Sequence, residues 1–265
     1  MSTESDLPGN QTNRNDMNSH LTKRRYSQPP ILEAICEIHF APERQLSREM
    51  IEMLMPVWKD GYPEQNVVEE KQVQLHMDMK GMRATEGNRG HKLICRSADQ
   101  LRLVQLASSF LAVNQLRPYQ GWEEGFRDVI LARWKNLQEV CPMEQVSRIG
   151  LRYINRIEIP QHPLQWEEWF NFPLPLPGNL RHPSGHFHLL FQQPLSEGMR
   201  SIINIASAQP APTGCTWVML DLDVVLEAPI PAADLPRELE RVHGPHSLAF
   251  EEYVSDKLRE LFEPV

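Results

Sequence analysis

The chain has 265 residues, with a hydrophobic fraction of 41%, a charged fraction of 23% and a formal net charge of −8; this is the composition of an ordinary globular protein long enough to bury a core. The acidic balance gives no whole-chain attraction to nucleic acid or to an anionic membrane, so binding of that kind needs a local basic stripe. No apolar stretch reaches the length of a membrane span and the N-terminus lacks the apolar core of a secretory signal, so no membrane partner and a cytoplasmic location are expected.

Residues 1–28 are rich in Ser, Thr, Asn, Asp and Gln, a composition that predicts a disordered N-terminal tail. Residues 29–145 form a first half. Its opening strand, residues 31–40, alternates Leu32, Ala34, Cys36, Ile38 and Phe40 with Glu33, Ile35, Glu37 and His39. A helix capped by Ser47 follows, carrying Ile51, Leu54, Val57 and Trp58. Strands are predicted around Val73–Met79, at Leu93–Cys95 and within Leu101–Val113, then a helix with Trp122, Phe126, Ile130, Trp134 and Leu137 on its buried face.

Residues 146–265 form a second half with a similar order. Ile149, Leu151, Tyr153, Ile157 and Ile159 mark a strand, and residues 164–170 a short helix before a proline-broken loop. Strands are expected at 187–191, 201–206 and 217–226, a short helix at 235–242, and a closing helix carrying Phe250, Val254, Leu258 and Leu261. The opening strands align at an offset of 119 and the closing helices at an offset of 124. The expected fold is therefore α+β: duplicated β-α-β-β-β-α halves in one pseudo-symmetric unit, sharing a largely antiparallel curved sheet with helices on one face.

The opening Tyr26-x-x-Pro29-Pro30-Ile31-x-Glu33-Ala34-Ile35-x-Glu37-Ile38-x-Phe40 and the central Arg148-Ile149-Gly150-Leu151-Arg152-Tyr153-Ile154-Asn155-Arg156-Ile157 resemble those of a sporadically distributed family of bacterial and archaeal proteins. That family is of similar length and has no established activity. The resemblance spans about residues 26–265 and implies a patchily inherited prokaryotic gene. It supplies no site residue.

Several side-chain sets have chemical potential. Glu33, Glu37 and His39 share one strand face and offer acid, base or metal-ligand chemistry, or the polar face of a half-buried sheet. His186 and His188, with Asp221 and Asp223, have the ligand types of a metal site, although such spacing also suits an exposed sheet face. Arg148, Arg152 and Arg156 form a stripe that can hold phosphates or pair with carboxylates on a neighbouring strand; in an acidic chain ion pairing is favoured. If the opening strands pair antiparallel about a pseudo-twofold, Glu33 faces Arg156 and Glu37 faces Arg152.

Cys36, Cys95, Cys141 and Cys215 are widely separated, with no C-x-x-C pair, so buried free thiols are expected. There is no phosphate-binding glycine loop, nucleophile elbow or H-E-x-x-H helix, and no cofactor is expected. The leading expectation is a non-catalytic binding or assembly protein, one component of a multi-gene prokaryotic system, meeting a protein partner or itself. The alternative is a small-molecule-binding or enzymatic domain with a pocket between the sheet and the helices at Trp122 and Trp134. Nucleic-acid binding through the Arg stripe is the weaker alternative.

Overall fold

The computed structural model describes residues 24–43, 46–78, 81–174, 185–196 and 198–265; the side chains of residues 71–78, 81–89 and 124 lie outside the described set. The alternation at the start of the ordered chain produces β1 (Ile31–Ala41), which buries Ala34, Cys36, Ile38 and Phe40. Ser47 caps α1 (Arg48–Trp58) by accepting from the Met50 N–H, and the helix brings Ile51, Leu54 and Trp58 to the same core. Next come β2 (Glu64–Asp78) and β3 (Gly81–Arg96), a hairpin longer than its apolar stretches suggest. The apolar run after Gln100 splits into β4 (Arg102–Leu106) and β5 (Phe110–Leu116). A turn over Trp122–Phe126, kinked at Gly125, then leads into α2 (Arg127–Val140), which buries Ile130, Trp134 and Leu137.

The second half contributes β6 (Gln145–Ile159), a four-residue α3 (Trp166–Trp169), β7 (His188–Ser196), β8 (Met199–Ala208) and β9 (Thr216–Pro231). It ends in α4 (Leu235–Tyr253) and α5 (Asp256–Glu260). The strands make one nine-stranded sheet of order β2-β3-β4-β5-β1-β6-β9-β8-β7, and the neighbours pair antiparallel. The fold is α+β. Two apolar clusters cover one sheet face: α1, α2 and the first part of α4 pack on Cys36, Leu151 and Val224, while α3 and α5 pack on Ile157, Val218 and Leu220.

Three expectations change. β1 and β6 are antiparallel neighbours, but Glu33 faces Ile154 and Glu37 faces Gly150 rather than Arg156 and Arg152. Apolar packing sets this register, matching Cys36 with Leu151 and Ile38 with Ile149. A two-residue slip keeps every side chain on its face, so face patterning alone does not choose between the two. The closing helix is not continuous: α4 runs through the expected short helix to Tyr253, Val254 is extended, and Ser255 caps a separate α5. The helix offset of 124 therefore compares an unbroken helix with a broken one. Finally, residues 24–28, assigned by composition to the tail, dock on the body. Tyr26 bridges to Pro264, Ser27 and Gln28 donate backbone hydrogen bonds to Glu263 and Phe262, and the Tyr26 ring meets Phe250 and Phe262 edge-on. The rest of the expected tail, residues 1–23, lies outside the described residues.

All four cysteines are free; Cys36, Cys95 and Cys141 are buried, whereas Cys215 is only half-buried. No helix among the described residues is long and apolar enough to cross a membrane.

Candidate functional site

The sheet face away from the helices holds most of the charged candidates. β1 presents Glu33, Glu37 and His39, β6 presents Arg148, Arg152 and Arg156, and β9 presents Asp221, Asp223 and Glu227. Arg148 donates to Glu37 (2.9 Å) and lies 3.0 Å from His39 Nε2, with Asp223 at 3.8 Å and Glu227 at 3.9 Å. The guanidinium lies across the sheet above Gly150, where a Cβ would sit 3.0 Å from its Nη2. Arg152 holds Asp221 with two hydrogen bonds, of 2.7 and 2.6 Å. Arg156 pairs with Glu158 at 2.8 Å and lies over the Trp217 ring. Glu33 accepts from Asn114.

Each arginine of the stripe thus has a carboxylate partner, and a paired guanidinium has less capacity left for phosphate. Asp223 is the exception. Its side chain is 18% exposed, its Oδ1 is buried without a hydrogen-bond partner among the described residues, and burial raises its pKa to about 6 against the pull of Arg148 and Arg152.

The four metal candidates are not brought together. His186 precedes β7 and His188 begins it, Asp221 and Asp223 lie on β9, and β8 runs between them. His188 Nε2 meets Asn204 Oδ1 of β8 at 2.7 Å. Among the described residues, no group of three or more His, Cys, Asp or Glu is placed to hold a metal ion.

The helix-covered face contains a cavity of about 760 Å3. Its floor comes from β1 and β6 through Ile31, Tyr153 and Asn155. One wall is the connection from β5 to α2, with Tyr119 and Trp122; another is α4, with His243, His246, Ser247 and Phe250; residues 24–30 form a third. Trp122 lines this cavity and Trp134 does not.

Local sequence logic puts these groups there. Tyr153 and Asn155 continue the odd-numbered row of β6 that buries Ile149, Leu151 and Ile157. On α4, His243, His246, Ser247 and Phe250 follow the buried Leu239 and Val242 at spacings of three and four, one helix stripe. Gly121 begins the wall at φ 97°, a left-handed conformation in which a side chain would be strained.

The polar groups of the cavity's floor and inner walls, Tyr119, Tyr153, Asn155, His243, His246 and Ser247, are electrically neutral, whereas Arg24, Arg25, Glu123 and Glu251 bring charge to its mouth, Arg25 facing Glu123 at 3.6 Å. The Tyr119 and Tyr153 hydroxyls are 2.8 Å apart, and burial raises both phenols well above their ordinary value. Burial also pushes His243 down to about 4 and His246 to about 3, so both imidazoles are uncharged near neutral pH. His243 stacks on Trp122 with ring centroids 4.3 Å apart, and its Nε2 lies 3.2 Å from the Ser247 hydroxyl. His246 Nε2 lies 3.1 Å from the Leu222 carbonyl. A carbonyl only accepts, so Nε2 carries the proton and Nδ1 keeps a lone pair. Asn155 donates its amide protons to the Tyr153 and Leu220 carbonyls, which leaves its Oδ1 an acceptor. Of the paired phenols only one donates to the other, so one O–H is unspent. At the rim Glu251 accepts from Tyr26 and Arg259, with Arg24 at 3.9 Å.

No protein-family model matches the chain, and no curated protein sequence does either.

Sequence reasoning passed over Tyr153, Asn155, His243 and His246 because each occupies an apolar phase and reads as core. The signal was the polar atom within that phase: Asn155 between Tyr153 and Ile157, and His246 four residues after Val242.

Proposed function

We propose that the chain is a non-catalytic binding protein whose cavity takes a small, flat, uncharged molecule carrying N–H or O–H donors. One observation carries this reading: a roomy, aromatic-lined cavity whose floor and inner walls carry neutral polar groups that keep hydrogen-bonding capacity, the charges at its mouth being paired with one another. Buried polar atoms are ordinarily satisfied, and pockets combine apolar walls with a few convergent polar groups. Aromatic rings favour a flat ligand. The Asn155 and His246 acceptors favour donors on it, and the same desolvation that neutralises the histidines disfavours a charged group.

The arrangement also supports the duplication expected from the sequence as part of this proposal. Read outward from the centre, β1-β5-β4-β3 and β6-β9-β8-β7 follow one pattern of connection, and the turn into α2 and the helix α4 flank the cavity from corresponding positions.

The test is thermal melting of the chain with millimolar nucleobases, nucleosides, phenols and indoles, alongside phosphorylated or carboxylated counterparts. A ligand at about 100 times its Kd stabilises by ~2.7 kcal/mol. A neutral planar compound should raise the melting temperature and Tyr119→Phe should reduce that rise, with charged counterparts ineffective. No shift from any neutral compound, or an equal shift in the variant, defeats the reading.

A further inference from the structure

The two edges of the sheet differ in charge. β2, at one end, carries Glu64, Glu69, Glu70, Lys71 and Asp78 along its length. Such charges keep an edge strand from pairing with another chain. β7, at the other end, has the sequence HLLFQQPLS, without one Lys, Arg, Asp or Glu in nine residues. Leu190 is 59% exposed, Phe191 39% and Leu195 40%. Among the described residues, β7 has a partner on one side only, β8.

The direction of its free backbone groups follows from one hydrogen bond. Ser207 N–H donates to the Phe187 carbonyl at 3.1 Å, and the pairing then runs without interruption from His188 opposite Ala206 to Pro194 opposite Arg200. Antiparallel pairs alternate between bonded and non-bonded. Leu189, Phe191 and Gln193 therefore bond inward to β8, and His188, Leu190 and Gln192 turn their N–H and C=O groups outward. Pro194 falls in the outward set, the position in a strand where a missing N–H costs least.

We propose that β7 is a self-pairing edge: two copies of the chain meet antiparallel through β7, with Leu190 on the twofold axis. This goes beyond ligand binding and does not depend on it. The register is selected by the strand itself. A twofold perpendicular to the sheet pairs residues of the same parity, and only the even-numbered set has free backbone groups. Centring on Leu190 sets Leu190 against its copy and His188 against the copy's Gln192. Each of these pairs exchanges two backbone hydrogen bonds, and none requires the proline nitrogen. Centring on Phe191 or Gln192 would set His188 or Leu190 against Pro194 and lose a donor, and centring on Leu189 would leave only residues 188–190 paired within the strand. On the helix-covered face the same register places Leu189 beside the copy's Phe191, so apolar side chains meet apolar ones. A second copy is the occupant the charge pattern favours, because an uncharged strand opposes itself without repulsion. A basic or acidic partner strand finds no complement there.

The experiment is sedimentation or light scattering of the full chain at ~50 µM, suited to a small micromolar interface. The expected mass is twice the 30.7 kDa of the monomer. Leu190→Arg places like charges directly opposite and should return the monomer with unchanged circular dichroism and melting. Leu190→Cys should form a disulfide-linked dimer under mild oxidation, because it opposes its own copy at a distance a disulfide spans; the wild-type chain, whose thiols lie elsewhere, should not. A monomeric wild-type chain, or a dimer that survives Leu190→Arg, overturns the proposal. Should Leu190→Arg fail to fold, the cysteine variant decides: a linked dimer supports self-pairing through β7, and its absence refutes it.

Discussion

The two faces of the sheet divide the polar residues in opposite ways. On the open face charges are abundant and largely spent on one another: Arg148 on Glu37, Arg152 on Asp221, Arg156 on Glu158. On the helix-covered face the polar groups of the cavity floor and inner walls are few, neutral and only partly spent: one phenol O–H, the His246 Nδ1 and the Asn155 Oδ1 remain beyond their intramolecular bonds. A charged cluster is conspicuous in a sequence because it must be polar, yet its members satisfy each other. A lone polar group in a core row is inconspicuous, yet it has nothing to satisfy it but a backbone carbonyl or a ligand. Residual hydrogen-bonding capacity, rather than charge, distinguishes the two faces.

The largest effect that can break this comparison lies in the support of the cavity. Phe126 is fully buried and meets Tyr119, Trp122 and Tyr153 within centroid distances of 6.0 to 6.5 Å. Phe126→Ala should cost about 3–5 kcal/mol in urea unfolding. Phe250 is only partly buried, between Tyr26 and Phe262, and its truncation should cost clearly less. Equal losses would show that residues 24–31 belong to the core as firmly as α2 does, and that the cavity has a fixed rather than an applied wall.

The second effect is a pH dependence carried by the cavity histidines. Their native pKa values are depressed, to about 4 for His243 and about 3 for His246, whereas the unfolded chain titrates near ~6.5. The unfolded state then binds more protons in this window, so stability rises with pH there. It is fully present above ~6.5 and drains away as pH falls toward 4 and 3, each histidine contributing on the order of 2 kcal/mol by pH ~4.5. His246→Gln can still donate to the Leu222 carbonyl but does not titrate. It should flatten the decline between pH 6.5 and 4 in melting-temperature profiles. An unchanged slope would mean that His246 is charged or hydrated in the native protein, and the neutral-cavity argument would go with it.

How much of this was legible follows from what each signal constrains. Alternation along β1 and β6 gave the strands, and the apolar stripes gave α1 and α2, because burial of one face dictates those periods. The break between α4 and α5 was not legible. Phe250, Val254 and Leu258 keep helical spacing across it, and the competing cap, Ser255 accepting from the Leu258 N–H, only shows itself once the chain has turned. The register of β1 against β6 was undetermined for the reason already given: slips by two preserve both faces. Of the candidate charges, Glu37, His39, Arg148 and Asp223 do converge, while Glu227, which faces both Arg148 and Arg200, was not among the candidates. What sequence could not supply was their mutual neutralisation, which depends on β9 lying beside β6. The cavity residues were hidden by the rule that buried phases are apolar, to which Asn155 and His246 are exceptions.

The smallest expected effect tests the open face at its one unbalanced member. Asp223 is a carboxyl whose burial raises its pKa to about 6 from an ordinary 3.8. A raised acid pKa means that the native protein holds a proton the unfolded chain has already released. Stability therefore falls as pH rises from about 4 to about 6, and the cost is fully present above that. Asn is close in shape to the protonated acid and carries no charge to desolvate. Asp223→Asn should leave the melting temperature unchanged near pH 4 and raise it at pH 8, by about 1–2 kcal/mol of stability. That is below the full shift, in which the attraction of Arg148 and Arg152 is already included, because the amide of Asn matches the protonated carboxyl only in part. A loss at pH 8 would carry the opposite lesson. The two arginines would then hold Asp223 as a carboxylate, its buried Oδ1 would be part of the ion lattice, and the charged cluster of the open face would have no unspent member. A gain leaves Asp223, like the Asn114 Oδ1, as a place on that face where polar capacity exceeds what the described residues satisfy.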